Sequence, residues 1–290
     1  MKTNLSPLKT LAVLAVLNSA PLLHAESVVL EPVQDNSIFE EGDLSNGAGI
    51  HLFAGKTAGS AGFAYRRALL KFDPAASIPA GSTIKSATLR LNVSKQPFGA
   101  TENPFSIHKL TTGWGEGSSD AGDTRDGVGA TATTGDATWN HAFYSSITWT
   151  PGGAFSVAAS STASVSGLGG HTWSGAGLAM DVQAWLDEPD NNSGWILIGP
   201  DIDKSARRFD SREHTVAANR PKLTITYTLA PADWAGYAIL EDGQTVDTGD
   251  FLGFVDVAHK PWIYVFRLEK YLFITESQVT GEGAWAFAPQ

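Results

Sequence analysis

The residues that decide the fold are 84–93, Ile-Lys-Ser-Ala-Thr-Leu-Arg-Leu-Asn-Val, and 223–229, Leu-Thr-Ile-Thr-Tyr-Thr-Leu. Apolar side chains alternate with polar ones along most of both segments, and β-branched residues are frequent. A period of two residues is typical of a strand with one face buried. These segments therefore predict strands of an antiparallel sheet that covers a core on one side.

Shorter segments repeat this pattern and extend the predicted sheet: residues 50–53, 68–72, 105–107 and 195–198. Only residues 180–187 are typical of a helix, because Val182, Trp185 and Leu186 lie at i, i+3 and i+4 and Pro189 follows them. One short helix among many strands predicts an all-β fold, a β-sandwich of the jelly-roll type.

The composition excludes several classes of protein. The chain has 290 residues, 42% of them hydrophobic and 17% charged, which is enough apolar sequence for a sizeable core. Asp and Glu number 30 against 20 Lys and Arg, a net charge of −10, so we expect no nucleic-acid partner. The absence of cysteine excludes disulfides, thiol catalysis and cysteine-ligated metals.

Residues 1–25 are typical of a secretory signal peptide. Lys2 and Lys9 form a basic start, an apolar run follows at 11–17, and the small residue Ala25 ends the segment. We expect cleavage after Ala25 and a secreted bacterial protein, extracellular or at the cell surface; an amphipathic N-terminal helix is the alternative. No later stretch reaches the roughly 18 apolar residues of a membrane span, so we expect no transmembrane segment in the mature chain.

The remaining chain divides near Ala230. We predict a β-sandwich domain over residues 26–230, with an insertion around 111–177 that holds 14 of the 30 glycines. Tryptophans within the insertion indicate parts that pack or bind. Residues 231–290 hold 11 of the 29 aromatic residues and are predicted to form a small β-meander.

The segment 262–266, Trp-Ile-Tyr-Val-Phe, is apolar on both faces. Such a strand is either fully buried or lies at an edge where it pairs with another chain. Self-assembly through residues 231–290 is therefore one hypothesis for this region.

Motifs of catalysis are missing from the sequence, since it has neither a G-x-S-x-G elbow nor an H-E-x-x-H pair. Glu116 and Asp181 are candidates for the acid and base of a glycoside hydrolase. Alternatively, Glu116 is a turn residue and Asp181 caps the short helix. We expect a non-catalytic protein, with a polysaccharide-degrading enzyme as the alternative.

Basic side chains on strands are the candidates for binding an acidic sugar. By strand parity, Arg67, Lys71 and Arg90 point away from the apolar faces, and they line one sheet face if their strands pair. Arg212 is a further candidate, because guanidinium and ammonium groups bind carboxylates strongly. The alternative is that all are ordinary surface charges and that Arg212 forms a salt bridge with Glu213.

Two tryptophans and an acidic loop complete the candidates. Trp114 and Trp139 are of the type that stacks on sugar rings, although packing beneath the loops is the alternative. Asp120, Asp123 and Asp126 crowd one loop and offer the hard oxygen ligands of a structural Ca²⁺, or else they form solvated turns. We expect no other cofactor.

A series of short motifs carries a resemblance to a known family. In chain order they are Arg67-Ala-Leu-Leu-Lys-Phe-Asp73, Ile78-Pro-Ala-Gly81, Ser86-Ala-Thr-Leu-Arg-Leu91, Trp114-Gly-Glu116, Thr148-Trp149, Asp181-Val-Gln-Ala-Trp185, Asn191-Asn-Ser-Gly194, Phe209-Asp-Ser-Arg-Glu213 and Arg220-Pro-Lys-Leu-Thr-Ile-Thr-Tyr227. In this order they resemble the DNRLRE domain, also classed as carbohydrate-binding module family 96, over residues 26–229. Residues 231–290 resemble an aromatic-rich tail on exported proteins of Verrucomicrobia-type bacteria.

The resemblance to the DNRLRE domain implies a β-sandwich that binds an acidic polysaccharide such as alginate. Together with the residues, it leads to the hypothesis of a secreted, non-catalytic protein that binds uronate-type glycans. The alternative is an extracellular structural or adhesive protein that assembles through its aromatic C-terminal segment.

Overall fold

The computed structural model describes residues 25–123, 127–230, 233–280 and 283–288. The predicted signal peptide lies outside the described residues, apart from Ala25. Two compact units are present, His24–Ala230 and Pro231–Gln290, and each has a core of its own.

In its described residues, the first unit contains fifteen strands and one α-helix. Their bounds are β1 Ala25–Leu30, β2 Gln34–Phe39, β3 Leu44–Ser45, β4 His51–Lys56, β5 Tyr65–Lys71, β6 Thr83–Lys95, β7 Asn103–Lys109, β8 Ala130–Thr131, β9 His141–Phe143, β10 Ile147–Thr148, β11 Ser161–Val165, β12 Gly169–Ser174, α1 Ala176–Asp187, β13 Trp195–Ile198, β14 Arg207–Asp210 and β15 Lys222–Thr228.

Eleven of these strands form one antiparallel sheet in the order β1-β15-β6-β14-β4-β5-β13-β7-β11, with β12 also paired to β6 and β2 also paired to β5. The sheet curls so that its two halves cover a single core, and β4 joins the halves because it pairs with both β14 and β5. Fully buried aromatic side chains fill this core: Phe105, Trp173, Trp195 and Phe209. The predicted all-β, sandwich-like fold is confirmed.

A change of parity in the sequence of β6 becomes a β-bulge in the structure. Ile84 and Leu89 have opposite parity, yet both are buried. The register resolves the conflict, because Thr226 of β15 pairs with Ser86 whereas the next residue, Tyr227, pairs with Ile84. The extra residue on β6 reverses the alternation, which keeps both apolar side chains on the core side.

The helix α1 begins at Ala176, four residues before the predicted start. Leu178 lies one turn before Val182, and both are buried, so the apolar stripe extends to the true N-terminus. Gly175 precedes the helix with φ of 132° and without a side-chain cap. Ser174 stands one residue before the N-cap position, and Gly175 occupies that position itself, so no side chain caps this helix.

The glycine-rich insertion folds around a buried carboxylate, and its described part contains the short strands β8–β12 and the first residues of α1. Asp136 is fully buried and accepts the backbone N–H of Ser118 at 2.9 Å and that of Thr133 at 2.6 Å. The hydroxyl of Ser119 donates to the same carboxylate. Hydrogen bonds to one side chain therefore organise loops that have no strand periodicity.

Over residues 233–280 and 283–288, the second unit contains six short strands, of which the last four form an antiparallel meander in chain order. The bounds are β16 Asp233–Trp234, β17 Tyr237–Ala238, β18 Thr245–Asp247, β19 Phe254–Asp256, β20 Trp262–Val265 and β21 Lys270–Phe273. One face of the meander is aliphatic and buried, with Val246, Val255, Ile263, Val265 and Leu272. The small C-terminal meander that the sequence predicts is thus present.

The strand β20 fits neither of the two predicted roles. It lies between β19 and β21, so it is not an edge. Ile263 and Val265 are fully buried, whereas Trp262 on the other face is 38% exposed. Alternation places the aliphatic residues on the core side and the aromatic residues on the opposite face. The apolar character of all five residues in the sequence does not distinguish these two faces.

Within the part of the chain that the structure describes, no helix combines the length and the apolar character that crossing a membrane requires.

Candidate functional site

An open groove of about 530 Å³ lies across strands β6, β14, β4 and β5 of the first unit. This volume is within the usual range of ligand sites. Its charged lining, among the described residues, consists of Glu41, Arg66, Lys95, Arg207 and Arg208. Four of these five charged residues are basic, which is a local concentration of basic side chains on an acidic chain.

A second β-bulge in β6 places two of these cations in the groove. Arg208 of β14 pairs with Lys95, whereas the next residue, Phe209, pairs with Val93. Ser94 is the extra residue, and its hydroxyl accepts a hydrogen bond from Arg208 Nε at 3.1 Å. Because a bulge changes the direction of the side chains beside it, Lys95 and Arg208 both line the groove.

The β5 side of the groove is a fixed ion pair. The guanidinium of Arg66 donates to both carboxylate oxygens of Glu41, at 2.5 and 2.6 Å, and to the carbonyl of Gly127 at 3.0 Å. It also lies 5.0 Å from the ring of Phe39. Arg66 is only 4% exposed, so this pair forms a wall of the groove.

Arg207 supplies positive charge from beneath the groove. It is buried, and its guanidinium donates to the carbonyls of Ser205 at 2.8 Å and Thr101 at 2.6 Å. Burial lowers the pKa of Arg207. Within the described residues it has no carboxylate partner, so its charge adds to the field of the groove.

Two exposed aromatic residues lie close in the chain to residues that line the groove. Phe98 directly follows Pro97, which is a lining residue, and its side chain is fully exposed. Phe63, two residues after the lining residue Ala61, is half exposed. Aromatic rings of this kind can stack on the apolar face of a sugar.

A second polar cluster joins three distant segments of the first unit. Arg212 Nε lies 2.7 Å from Glu116 and 2.8 Å from Glu213. The backbone N–H of Arg212 donates to Asp35 Oδ2 at 2.8 Å, and that of Asp35 donates to Glu116 Oε1 at 2.8 Å. Arg212, a predicted sugar-binding residue, is thus held within a group of carboxylates.

Like charges and burial set the acidity of this acidic cluster, which consists of Asp35, Glu116 and Glu213. Burial, with the neighbouring charge of Glu213, raises the pKa of Asp35 well above its ordinary value. Burial also raises the pKa of Glu213, although Arg212 opposes it. Burial lowers the pKa of Arg212, but the hydrogen bond to Glu116 and the charges of Glu116, Glu213 and Asp35 together outweigh it, so that the net shift is upward.

Arg67, one of the predicted sugar-binding cations, lies beneath the insertion. Its guanidinium donates to the carbonyl of Gly152 at 2.5 Å and lies 4.8 Å from the ring of Trp139 and 5.3 Å from that of Phe155. Burial lowers the pKa of Arg67. These contacts assign Arg67 a structural role.

The structure does not bring Arg67, Lys71 and Arg90 to one face. Arg67 and Lys71 lie on β5, and Arg90 lies on β6, with β14 and β4 between the two strands in the sheet. The neighbouring residues of both strands point into the same core from its two halves. The outward faces of β5 and β6 therefore belong to opposite sides of the sandwich.

The two tryptophans predicted to stack on sugars are packed. Trp114 is 4% exposed, and its indole N–H donates to the carbonyl of Ser193 at 2.9 Å. Trp139 is 9% exposed and stacks on Tyr65. Both belong to a buried cluster under the insertion, so their ring faces are not available to a ligand.

The acidic loop predicted as a Ca²⁺ site is only partly described. Asp120 accepts the backbone N–H of Gly122 at 2.8 Å, as in a turn, and Asp123 is exposed. Asp126 lies outside the described residues. Among the described residues, Asp35, Glu116 and Glu213 form a group of carboxylates close enough together to share a cation.

Glu116 and Asp181 do not form an acid–base pair. Glu116 pairs with Arg212, whereas Asp181 accepts the indole N–H of Trp195 at 2.8 Å and the hydroxyl of Ser160 at 2.5 Å. Asp181 also lies inside α1 and does not cap it, because Gly175 precedes the helix. Its carboxylate links the helix to neighbouring strands.

Two arginine doublets are the signal in the sequence that points to the groove. Arg66 precedes Arg67 on β5, and Arg207 precedes Arg208 on β14. Adjacent residues of a strand face opposite ways, so one member of each doublet can face a surface that the other cannot. Arg66 and Arg208 lie in the same groove because β5 and β14 both pair with β4. Sequence alone does not show this pairing.

No protein-family model matches this chain, and no curated protein matches it significantly. The resemblance to the DNRLRE domain therefore stays a prediction, as do the activity and ligand that it implies.

Proposed function

We propose that this is a secreted, non-catalytic protein that binds an acidic, uronate-type polysaccharide in the groove lined by Lys95 and Arg208. The observation that carries the proposal is the concentration of basic side chains in one groove of an otherwise acidic chain. Ammonium and guanidinium groups bind sugar carboxylates through charge-assisted hydrogen bonds. The motif resemblance, whose family binds such glycans, supports the same ligand class.

The shape of the groove also favours an extended ligand. It is open to solvent and mostly apolar between its charged groups, with Phe53, Leu44 and Val128 in the lining. A polysaccharide presents carboxylates at regular intervals and apolar ring faces between them, and Phe98 beside the groove adds a surface for such a face.

Substitution of the groove cations tests the proposal. We expect Lys95→Ala and Arg208→Ala each to weaken binding to polyuronate by about 1–3 kcal/mol, the scale of hydrogen bonds to charged groups. Affinity electrophoresis through gels that contain alginate, with an inert protein as reference, measures the effect. Rising salt should weaken binding of the unchanged protein, because the attraction is electrostatic.

Lys71→Ala and Arg90→Ala are matched controls, since each removes one positive charge from a residue that does not line the groove. We expect them to retain affinity, and all four variants should keep the melting temperature of the unchanged protein. Equal losses in groove and control variants would show that only net charge matters, which contradicts a site in the groove.

The second candidate function is assembly through the C-terminal unit. Its meander exposes aromatic side chains on the face opposite its core, with Phe254, Trp262 and Tyr271 each more than a third exposed. Exposed apolar patches of this kind mark interaction surfaces. Light scattering after size-exclusion chromatography should show concentration-dependent association that Phe254→Ser with Tyr271→Ser removes; a monomer at every concentration would contradict this candidate.

A further inference from the structure

Asp35 carries a buried oxygen without a partner. Its side chain is fully buried on β2, and its Oδ2 accepts the backbone N–H of Arg212. Its Oδ1 has no hydrogen-bond partner anywhere in the described residues. A buried carboxylate oxygen that lacks a partner is costly, so it points to a ligand that the protein atoms do not supply.

The two other carboxylates of the acidic cluster converge on the same place. Asp35, Glu116 and Glu213 each offer an oxygen, and these oxygens all lie within 4.8 Å of one another. Glu213 Oε2 is a second buried oxygen for which the described chain provides no partner. Glu116 and Glu213 are partly exposed, with side-chain exposures of 17% and 24%, which leaves a route for an ion from solvent.

The positive charge of Arg212 does not balance the three acidic side chains of the acidic cluster. Arg212 is the basic side chain paired with it among residues that the structure describes, and its Nε lies between Glu116 and Glu213. Three acidic side chains face one guanidinium, and they lie partly out of water, so ionisation of all three without a further cation is unfavourable. A divalent cation compensates this excess of acidic side chains.

We propose that Asp35, Glu116 and Glu213 bind a Ca²⁺ ion. All three ligands are hard oxygens, which suit Ca²⁺ and not a soft transition metal. Because Ca²⁺ lies about 2.3–2.6 Å from each oxygen, two of its ligands can be separated by up to roughly 5 Å, which accommodates the observed spacing. Water and backbone carbonyls complete the coordination that three carboxylates leave open.

The ion would join parts of the chain that are distant in sequence. Asp35 lies on β2, Glu116 lies in the insertion, and Glu213 follows β14. Cross-linking these segments favours the folded state, because the ion binds the assembled site and not the unfolded chain. The site uses none of the residues that line the basic groove, so it does not depend on the proposed function.

Calorimetric titration of the full-length protein with CaCl₂, after dialysis against EDTA and then chelator-free buffer, tests the proposal. We expect one ion per chain and a melting temperature that rises by several degrees with saturating Ca²⁺. Glu213→Gln, which keeps the size of the side chain and removes one charge, should weaken Ca²⁺ binding at least about tenfold. Asp120→Asn, in the neighbouring acidic loop, is the control and should bind as the unchanged protein does.

Circular dichroism of each variant shows whether it is folded. If Glu213→Gln does not fold, Glu116→Gln takes its place with the same expected loss. Absence of Ca²⁺ binding by the unchanged protein at millimolar concentration would overturn the proposal. So would a loss of binding in Asp120→Asn while Glu213→Gln binds normally, because the ion would then lie in the other loop.

Discussion

At the scale of residues, the half-buried Arg67 and the buried Arg207 shape the first unit. Arg67 and Arg207 each direct the guanidinium to backbone carbonyls and toward an aromatic ring, Trp139 for Arg67 and Phe105 for Arg207. Burial lowers the pKa of both. The charge of Glu40 acts on Arg67, and the close contacts of both guanidinium groups are to backbone carbonyls and aromatic rings.

The Arg67→Ala variant tests the structural role of this residue. We expect a loss of about 1–3 kcal/mol in the free energy of unfolding, because the carbonyl of Gly152 loses a charged donor and Trp139 loses a cation–π contact. Urea unfolding followed by tryptophan fluorescence measures it. Binding to polyuronate should be unchanged. Weaker binding at unchanged stability would show that Arg67 binds the sugar and would contradict a purely structural role.

Asp210 makes stability depend on acid pH. It is fully buried on β14, its Oδ2 accepts the amide of Asn92 at 2.7 Å, and its Oδ1 lies 3.3 Å from His51 and 3.5 Å from His214. Burial alone raises the pKa of Asp210, but the interactions with His51 and Asn92 outweigh it, and the net pKa lies below the ordinary value.

A lowered pKa fixes the sign of the effect. Ionised Asp210 stabilises the fold above its unfolded pKa of about 3.9, and this contribution is lost as the pH falls through the lower folded value. The difference in melting temperature between the unchanged protein and Asp210→Asn should therefore shrink as the pH falls from about 5 to about 2. A difference that stays constant over this range would show that Asp210 does not titrate as described.

At the scale of elements, alternation predicts strands well and their neighbours poorly. The long strands β6 and β15 follow the period-two pattern closely, and even the bulge near Ile84 shows in the sequence as a change of parity. Residues 50–53 predicted part of β4, but nothing in the sequence shows that β4 and β14 are neighbours, because sheet order results from long-range pairing. For the same reason, parity correctly placed Arg67 away from the main core without showing that the insertion covers it.

The two faces of the meander should respond differently to substitution. Ile263 of β20 is fully buried, so Ile263→Ala should destabilise the C-terminal unit by about 2–5 kcal/mol. Phe254→Ser on the exposed face should cost less than about 1 kcal/mol. Hydrogen exchange of amides in residues 245–273 reports on this unit alone, and equal losses from both variants would contradict the assignment of the faces.

At the scale of the whole molecule, the chain consists of two units with separate cores. The first contains the basic groove and the acidic cluster, and the second contains the exposed aromatic face. The fold class and the C-terminal meander could be predicted from composition and alternation. The groove and the acidic cluster could not, because each collects side chains from segments about 20 to 180 residues apart in the chain, and such proximity results from tertiary folding.

The first unit should fold without the second. A chain of residues 26–230 keeps the complete sandwich core, so we expect one cooperative thermal transition and the far-ultraviolet circular dichroism of a β-protein. An aggregated or non-cooperative product would show that the C-terminal unit stabilises the sandwich directly.

Titration calorimetry with oligosaccharides of one length tests the central claim most directly. The unchanged protein should bind an oligomer of uronate residues, with an affinity that falls as salt is raised, and should not bind a neutral oligomer of equal length. Failure to bind any acidic oligosaccharide, or equal affinity for neutral and acidic ones, would contradict the assignment of the basic groove as a site for acidic polysaccharide.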